Sequence, residues 1–201
     1  MTVFENFSAA DVRDLIADYP LAWVAAAGYG VEQASLLPLL GDYGAGGRLV
    51  RLIGHMSRRN ALVDALHPRG KALVLFTGPQ AYISPDHARD RSWAPTWNYA
   101  QVRVEVELEF TPGDTPAAVE RLVEAMEHGR ADPWTVAHIR DRYEAMLKAI
   151  IAFRADVIDI AARFKLGQDE PDPVLASVLE ELGDPAMCNW MRRFNRDRTG
   201  E

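Results

Sequence analysis

Between Tyr99 and Phe110 the chain alternates with period two. Val102, Val104, Val106, Leu108 and Phe110 fall on one side, and Arg103, Glu105, Glu107 and Glu109 on the other. Side chains on a strand point alternately to its two faces, so this pattern predicts a strand with one buried and one wet face. Shorter apolar or alternating runs precede it: "LAWVAAAG", "VEQASLLPLL", "RLVRLIGHM", "KALVLFTG" and "QAYIS", separated by Gly- and Pro-bearing turns such as "GDYGAGG" and "HPRG". Together they make about six strands at close spacing, the signature of an antiparallel barrel or sandwich. The later run "KAIIAFRADVIDIAARFKL" is ambiguous by period. Its β-branched residues make a closing strand at least as consistent as a helix.

A period near 3.6 appears elsewhere. "SAADVRDLIADY" sets Val12, Leu15, Ile16 and Tyr19 on one stripe before Pro20, which predicts an amphipathic lid helix starting near Ser8. "SRRNALVDAL" predicts a short helix capped by Ser57. "TPGDTPAAVERLVEAMEHG" carries Asp114 or Thr115 at its cap, Pro116 in its first turn and Gly129 as its stop. "TVAHIRDRYEAML", "DPVLASVLEELG" and "DPAMCNWMRRFN" complete the helices. The expected class is α+β: mainly a six-stranded antiparallel barrel, with peripheral helices. Residues 1–170 form the barrel domain, and 171–201 a helical extension packed on the same domain.

Composition narrows the chemistry. At 201 residues and 48% hydrophobic content the chain can bury a core without staples. Its single cysteine, Cys188, reads as a small buried hydrophobe and fits a reducing compartment. No basic leader or bilayer-length apolar run is present, so the expected location is the cytoplasm and no membrane role is expected. A net charge of −7 argues against a DNA-binding surface. The tail "MRRFNRDRTG" reads as a solvated, frayed end. His55, His67, His87, His128 and His138 lack metal-ligand spacing, so no metal is expected. Signatures of metalloproteases, dinucleotide folds, P-loops and hydrolase elbows are missing.

Three segments carry candidate chemistry. In "IGHMSRRNALVDAL" a histidine, a serine, two arginines and an asparagine sit between strand and helix, where backbone N–H groups and guanidinium forks suit a phosphate. In "LFTGPQAYISPDHARDRSWAPTWNY" prolines restrain the backbone around aromatic rings and amides able to face a planar ligand. In "ARFKLGQDEPDP", Lys165 and Gln168 place a cation beside an amide.

Taken in order, "GHMSRRNAL", "LFTGPQAYISP", "APTWNYAQVRV" and "FKLGQ" resemble the PaiB family of FMN-binding transcriptional regulators, built on the FMN-binding split barrel. "SLLPLL" and "FENFSAADVRDLIADYPLAWV" are also similar, so the resemblance runs from about Phe4 to Gln168. It implies a six-stranded barrel in a homodimer, with FMN at the subunit interface. It further implies that His55, Arg58 and Asn60 lie near the phosphate or ribityl chain, that Trp97, Asn98 and Tyr99 shape a flavin or interface pocket, and that Lys165 and Gln168 complete the site. The chain departs from the family at Ser35-Leu36, where relatives carry Thr-His, at Asp86-His87-Ala88 and at Gly167-Gln168-Asp169. Asp86 and Asp169 would repel a nearby phosphate. Three readings follow: a dimeric flavin protein of redox, sensing or regulatory role, a non-enzymatic regulator on the same fold without tight flavin, or a reductase or oxidase that binds FMN transiently as a substrate. Any of them would reach nucleic acid through a partner rather than by direct contact.

Overall fold

The computed structural model describes residues 2–199. Six strands close into an antiparallel barrel in the order β1-β2-β3-β6-β5-β4. They are β1 (Leu21–Ala26), β2 (Ala34–Tyr43), β3 (Leu49–Ser57), β4 (Arg69–Ile83), β5 (Thr96–Phe110) and β6 (Ile150–Lys165). The helices are α1 (Ala9–Asp18), α2 (Ala61–Leu66), α3 (Thr115–Glu127), α4 (Arg140–Leu147), α5 (Asp172–Glu181), α6 (Pro185–Phe194) and α7 (Arg196–Thr199). Contacts divide the chain into two compact units. One holds Ala9–Phe76 and Arg103–Ile160, the other the residues up to Ser8, Thr77–Val102 and those from Ala161 on.

The larger unit is the bulk of the barrel. Val24, Leu39, Leu52, Val74, Phe76, Val104, Val106, Leu108 and Phe153 are buried in it. The alternation along β5 is borne out: every even position from Asn98 to Phe110 is buried, while Arg103 and Glu105 are exposed. Helix α1 packs on β2 and β3, α2 on β1 and β2, and α3 on β2 and β3. Gly54 of β3 is required by closeness alone. A Cβ there would lie 2.6 Å from Leu39 Cδ2 and 2.8 Å from Phe153 Cζ, both on fully buried side chains. Gly54→Ala is therefore expected to lower the unfolding free energy by about 1–3 kcal/mol through overpacking. A urea midpoint equal to that of the wild type would show instead that the two neighbours give way.

In the smaller unit Phe164, Leu166, Leu175, Val178, Met187, Trp190 and Met191 form the core. Phe164 stacks on Phe194 at 4.6 Å and on Trp190 at 5.8 Å between ring centroids, with Phe7 at 6.1 Å. Cys188 is buried, and burial pushes its thiol pKa up, as a small structural hydrophobe requires.

Three expectations need correction, and one open choice between strand and helix is settled. "KALVLFTG" and "QAYIS" are one strand, β4, because the Gly-Pro pair changes the buried face instead of ending the strand. Ala72, Val74, Phe76 and Gly78 are buried, then Pro79 and Ile83, so the alternation reverses phase at two adjacent buried residues. The ambiguous run at 150–165 is a strand, β6, hydrogen-bonded along β3 from Arg51↔Asp156 to Ser57↔Ile150. Helix α2 is capped by Asn60, not Ser57: the Asn60 side chain accepts from Leu62 N at 3.0 Å, while Ser57 belongs to β3. The tail is not frayed, because Arg198 donates to the carbonyls of Gly167, Gln168 and Glu170 and pairs with Asp172 at 2.7 Å. Asn195, buried beside it, donates to the Leu166 carbonyl at 3.0 Å.

Candidate functional site

In the larger unit the polar segment at the end of β3 is built from the strand upward. Leu52, Gly54 and Met56 take the buried positions, which leaves His55 and Ser57 on the other face. His55 Nδ1 is buried without a hydrogen-bond partner, and desolvation lowers the pKa of its ring. The folded chain thus resists protonation at His55 more than the unfolded chain does. Stability is full above the ordinary histidine range and declines as pH falls through it. Denaturation at about pH 8 and about pH 5 is expected to show a larger loss for the wild type than for His55→Gln. Equal losses would remove His55 as the cause.

Arg58 is anchored through its backbone, whose N–H donates to the Ala149 carbonyl at 2.9 Å. Its side chain and that of Arg59 are exposed and form no ion pair among the described residues. Asn60 is held firmly. Its Oδ1 accepts from Leu62 N and also from the Ser35 hydroxyl at 3.1 Å. Ser35 thus supplies a hydroxyl to this segment from β2. The sequence signal for it was the "SLLPLL" string, read there only as a lost imidazole.

The remaining candidates lie in the smaller unit. Trp97 is 54% exposed and tilted against Tyr82, with ring centroids 5.9 Å apart. Lys165 Nζ donates to Thr96 Oγ1 and, at 3.2 Å, to the Trp97 carbonyl. Asn98 is buried, its amide directed at Met191 Sδ at 3.7 Å. The Tyr99 hydroxyl accepts from Arg163 Nε at 3.1 Å, and Arg163 also pairs with Glu5 at 3.3 Å and lies over the Phe4 ring. Gln168 spends its amide on its own turn: Nε2 donates to the Phe164 carbonyl at 2.6 Å, and Oε1 accepts from Leu166 N at 2.7 Å. Tyr82 lies in the "LFTGPQAYISP" motif but was not singled out there, and Arg163 carried no signal in the sequence beyond being a cation on a strand. Asp86 pairs with Arg91 at 3.0 Å, which offsets part of its charge. Among the described residues no cluster of His, Cys, Asp or Glu is placed to hold a metal, and no helix is long and apolar enough to cross a membrane.

A family model described as "Putative FMN-binding domain" matches residues 1–159. The chain belongs to that family. FMN is the cofactor that membership implies. The resemblance drawn from the motifs is borne out by a relative in Bacillus subtilis, the protease synthase and sporulation protein PAI 2. It is 30% identical over 134 residues, which is 65% of this chain and 64% of that protein. An uncharacterised protein of Saccharomyces cerevisiae is 36% identical over 58 residues, 27% of this chain and 34% of its own. The chain thus spans under two thirds of the length of either relative. Among solved structures, the FAD and heme binding protein of Mycobacterium smegmatis superposes with a TM-score of 0.58 at 19% identity, covering 86% of this chain and 78% of that one. A conserved hypothetical protein of Mycobacterium tuberculosis gives 0.55 at 12% identity, covering 85% and 93%. At these identities the likeness shows the fold: a six-stranded split barrel with added helices.

The residues at the end of β3 fit FMN. A phosphate needs unspent cationic donors, and Arg58 and Arg59 supply them. The buried His55 Nδ1 is a further polar atom of this segment without a hydrogen-bond partner in the protein.

Proposed function

We propose that this protein is a homodimeric, cytoplasmic FMN-binding split-barrel protein of redox, sensing or transcription-regulatory role. The observation that carries the reading is the segment His55–Asn60, where a buried ring nitrogen without a partner stands close in sequence to two guanidiniums that form no ion pair among the described residues, on a backbone fixed by Asn60 and Ser35. Bound FMN supplies reversible one- or two-electron chemistry at its ring system. The chain's own work is to hold and orient it. Arg58 neutralises the phosphate, His55 in its neutral form hydrogen-bonds the chain next to it, and Asn60 keeps the loop in place. Trp97, with Tyr82 beside it, offers an exposed aromatic face for the ring or for the partner subunit, while Asn98, Tyr99, Lys165 and Gln168 hold the ends of β5 and β6 in shape.

The homodimer rests on the outer face of β1 and its neighbours. Leu21 and Trp23 of β1 are each 51% exposed, Leu36 stands across from Trp23 on β2, and exposed Leu73 stands across from Ala25 on β4. Such a contiguous apolar stripe is what a second copy covers. A second reading, the same fold acting as a regulator without tight flavin, is favoured by Lys165 and Gln168, whose polar atoms are engaged within their own unit.

A visible spectrum of the purified protein, an FMN titration and a sizing run test these readings. Flavin bands or saturable quenching at about one FMN per subunit in a dimer support the first. A colourless dimer indifferent to FMN supports the second, and a monomer removes the interface.

A further inference from the structure

A cavity of about 230 Å³ lies between the start of α3 and strands β3 and β6, all within the larger unit. Three arginines line it: Arg51 of β3, Arg121 of α3 and Arg154 of β6. Each is held by one carboxylate. Arg51 Nε bonds Asp156 at 2.6 Å, an Arg121 terminal nitrogen bonds Asp42 at 2.8 Å, and an Arg154 terminal nitrogen bonds Glu109 at 2.9 Å. None of those three partners lines the cavity. The carboxylates therefore fix the guanidiniums and leave most of the five donors on each unspent.

The Nε of Arg154 is buried and has no hydrogen-bond partner in the protein. The side chain as a whole keeps 42% of its surface exposed, so a ligand meets the terminal nitrogens of this guanidinium. Ala117 and Ala118, in the first turn of α3, also line the cavity, and no side chain caps that helix end. Among the described residues Asp114 is the one carboxylate in the lining itself, and it opposes an anion together with the three that hold the arginines.

We propose that this cavity binds a phosphate group, as inorganic phosphate or on a small phosphate monoester, through Arg51, Arg121 and Arg154. Three forked donors from three different elements surround a volume that suits one tetrahedral dianion with a few further atoms. The site is separate from the proposed flavin segment, which draws on Arg58 and Asn60.

Inorganic phosphate and glycerol phosphate, each titrated into the full chain by calorimetry, test it. Saturable binding is expected, weakened about tenfold or more by Arg121→Ala and by Arg51→Ala. Asp114→Asn is expected to tighten it about threefold, a gain that damage to the fold would not produce. Equal affinities would point to free phosphate as the source, and a tighter ester would point to a phosphorylated metabolite. Absence of binding with both probes would overturn the proposal. So would binding untouched by Arg121→Ala and Arg51→Ala but abolished by Arg58→Ala, since that would report the flavin segment instead. Failure of FMN binding with phosphate binding intact would remove the flavin reading alone.

Discussion

Phe164→Ala is expected to lower the unfolding free energy by about 3–5 kcal/mol, the largest stability effect of any single substitution considered for this chain. The ring is fully buried and meets Phe194, Trp190 and Phe7. Deleting it removes the transfer free energy of a phenyl group and leaves a void walled by other rings, which cannot collapse without giving up their own stacking. Trp190 in the same stack makes intrinsic fluorescence a direct probe of the loss. A chemical denaturation curve displaced by less than about 1 kcal/mol would show that α6 moves in to fill the gap, and that the stack is looser than its centroid distances imply.

The second large effect concerns ligand. On the proposed reading, Arg58→Ala weakens FMN about ten- to hundredfold, the range expected when a charge-assisted hydrogen bond to a phosphate is removed. Arg58→Lys should recover only part of it, because an ammonium cannot match two phosphate oxygens at once. The wild-type affinity should fall as salt rises, and that dependence should flatten in Arg58→Ala. Fluorescence titration at two ionic strengths separates these outcomes. An Arg58→Ala protein with wild-type affinity and wild-type salt dependence would remove Arg58 from the phosphate.

Much of the barrel was legible because β5 obeys a strict alternation, whereas the run at 150–165 stayed open between strand and helix because its β-branched content and its period point different ways. The Gly78-Pro79 junction was misread. In sequence it has the chemistry of a turn, and only the neighbouring strands show that the chain continues through it by exchanging which side is buried. The α2 cap was misplaced by three residues, since Ser57 and Asn60 are both good caps and the deciding partner, the Ser35 hydroxyl, comes from a strand 25 positions away. The tail misled for a similar reason. Four arginines in a short run look solvated, but the carbonyls that receive Arg198 are exposed only by the turn after β6, which a linear reading does not place beside it. That a polar segment joins β3 to α2 was readable from residue types alone. The engagement of Asn98 and Gln168 with Met191 and with their own backbone was not, because it depends on where α6 and the turn fall.

The double acceptance at Asn60 has a practical use. Its Oδ1 serves the Leu62 N–H and the Ser35 hydroxyl together, and neither bond draws on the amide nitrogen. Aspartate offers the same oxygen in the same place and caps a helix as well as asparagine does. Asn60→Asp is thus an isosteric electrostatic probe: it inserts one negative charge two residues from Arg58 while leaving the scaffold's geometry alone. On the proposed reading, Asn60→Asp is expected to weaken recognition of an anion at this loop while leaving the unfolding free energy unchanged, so that binding and folding are read separately.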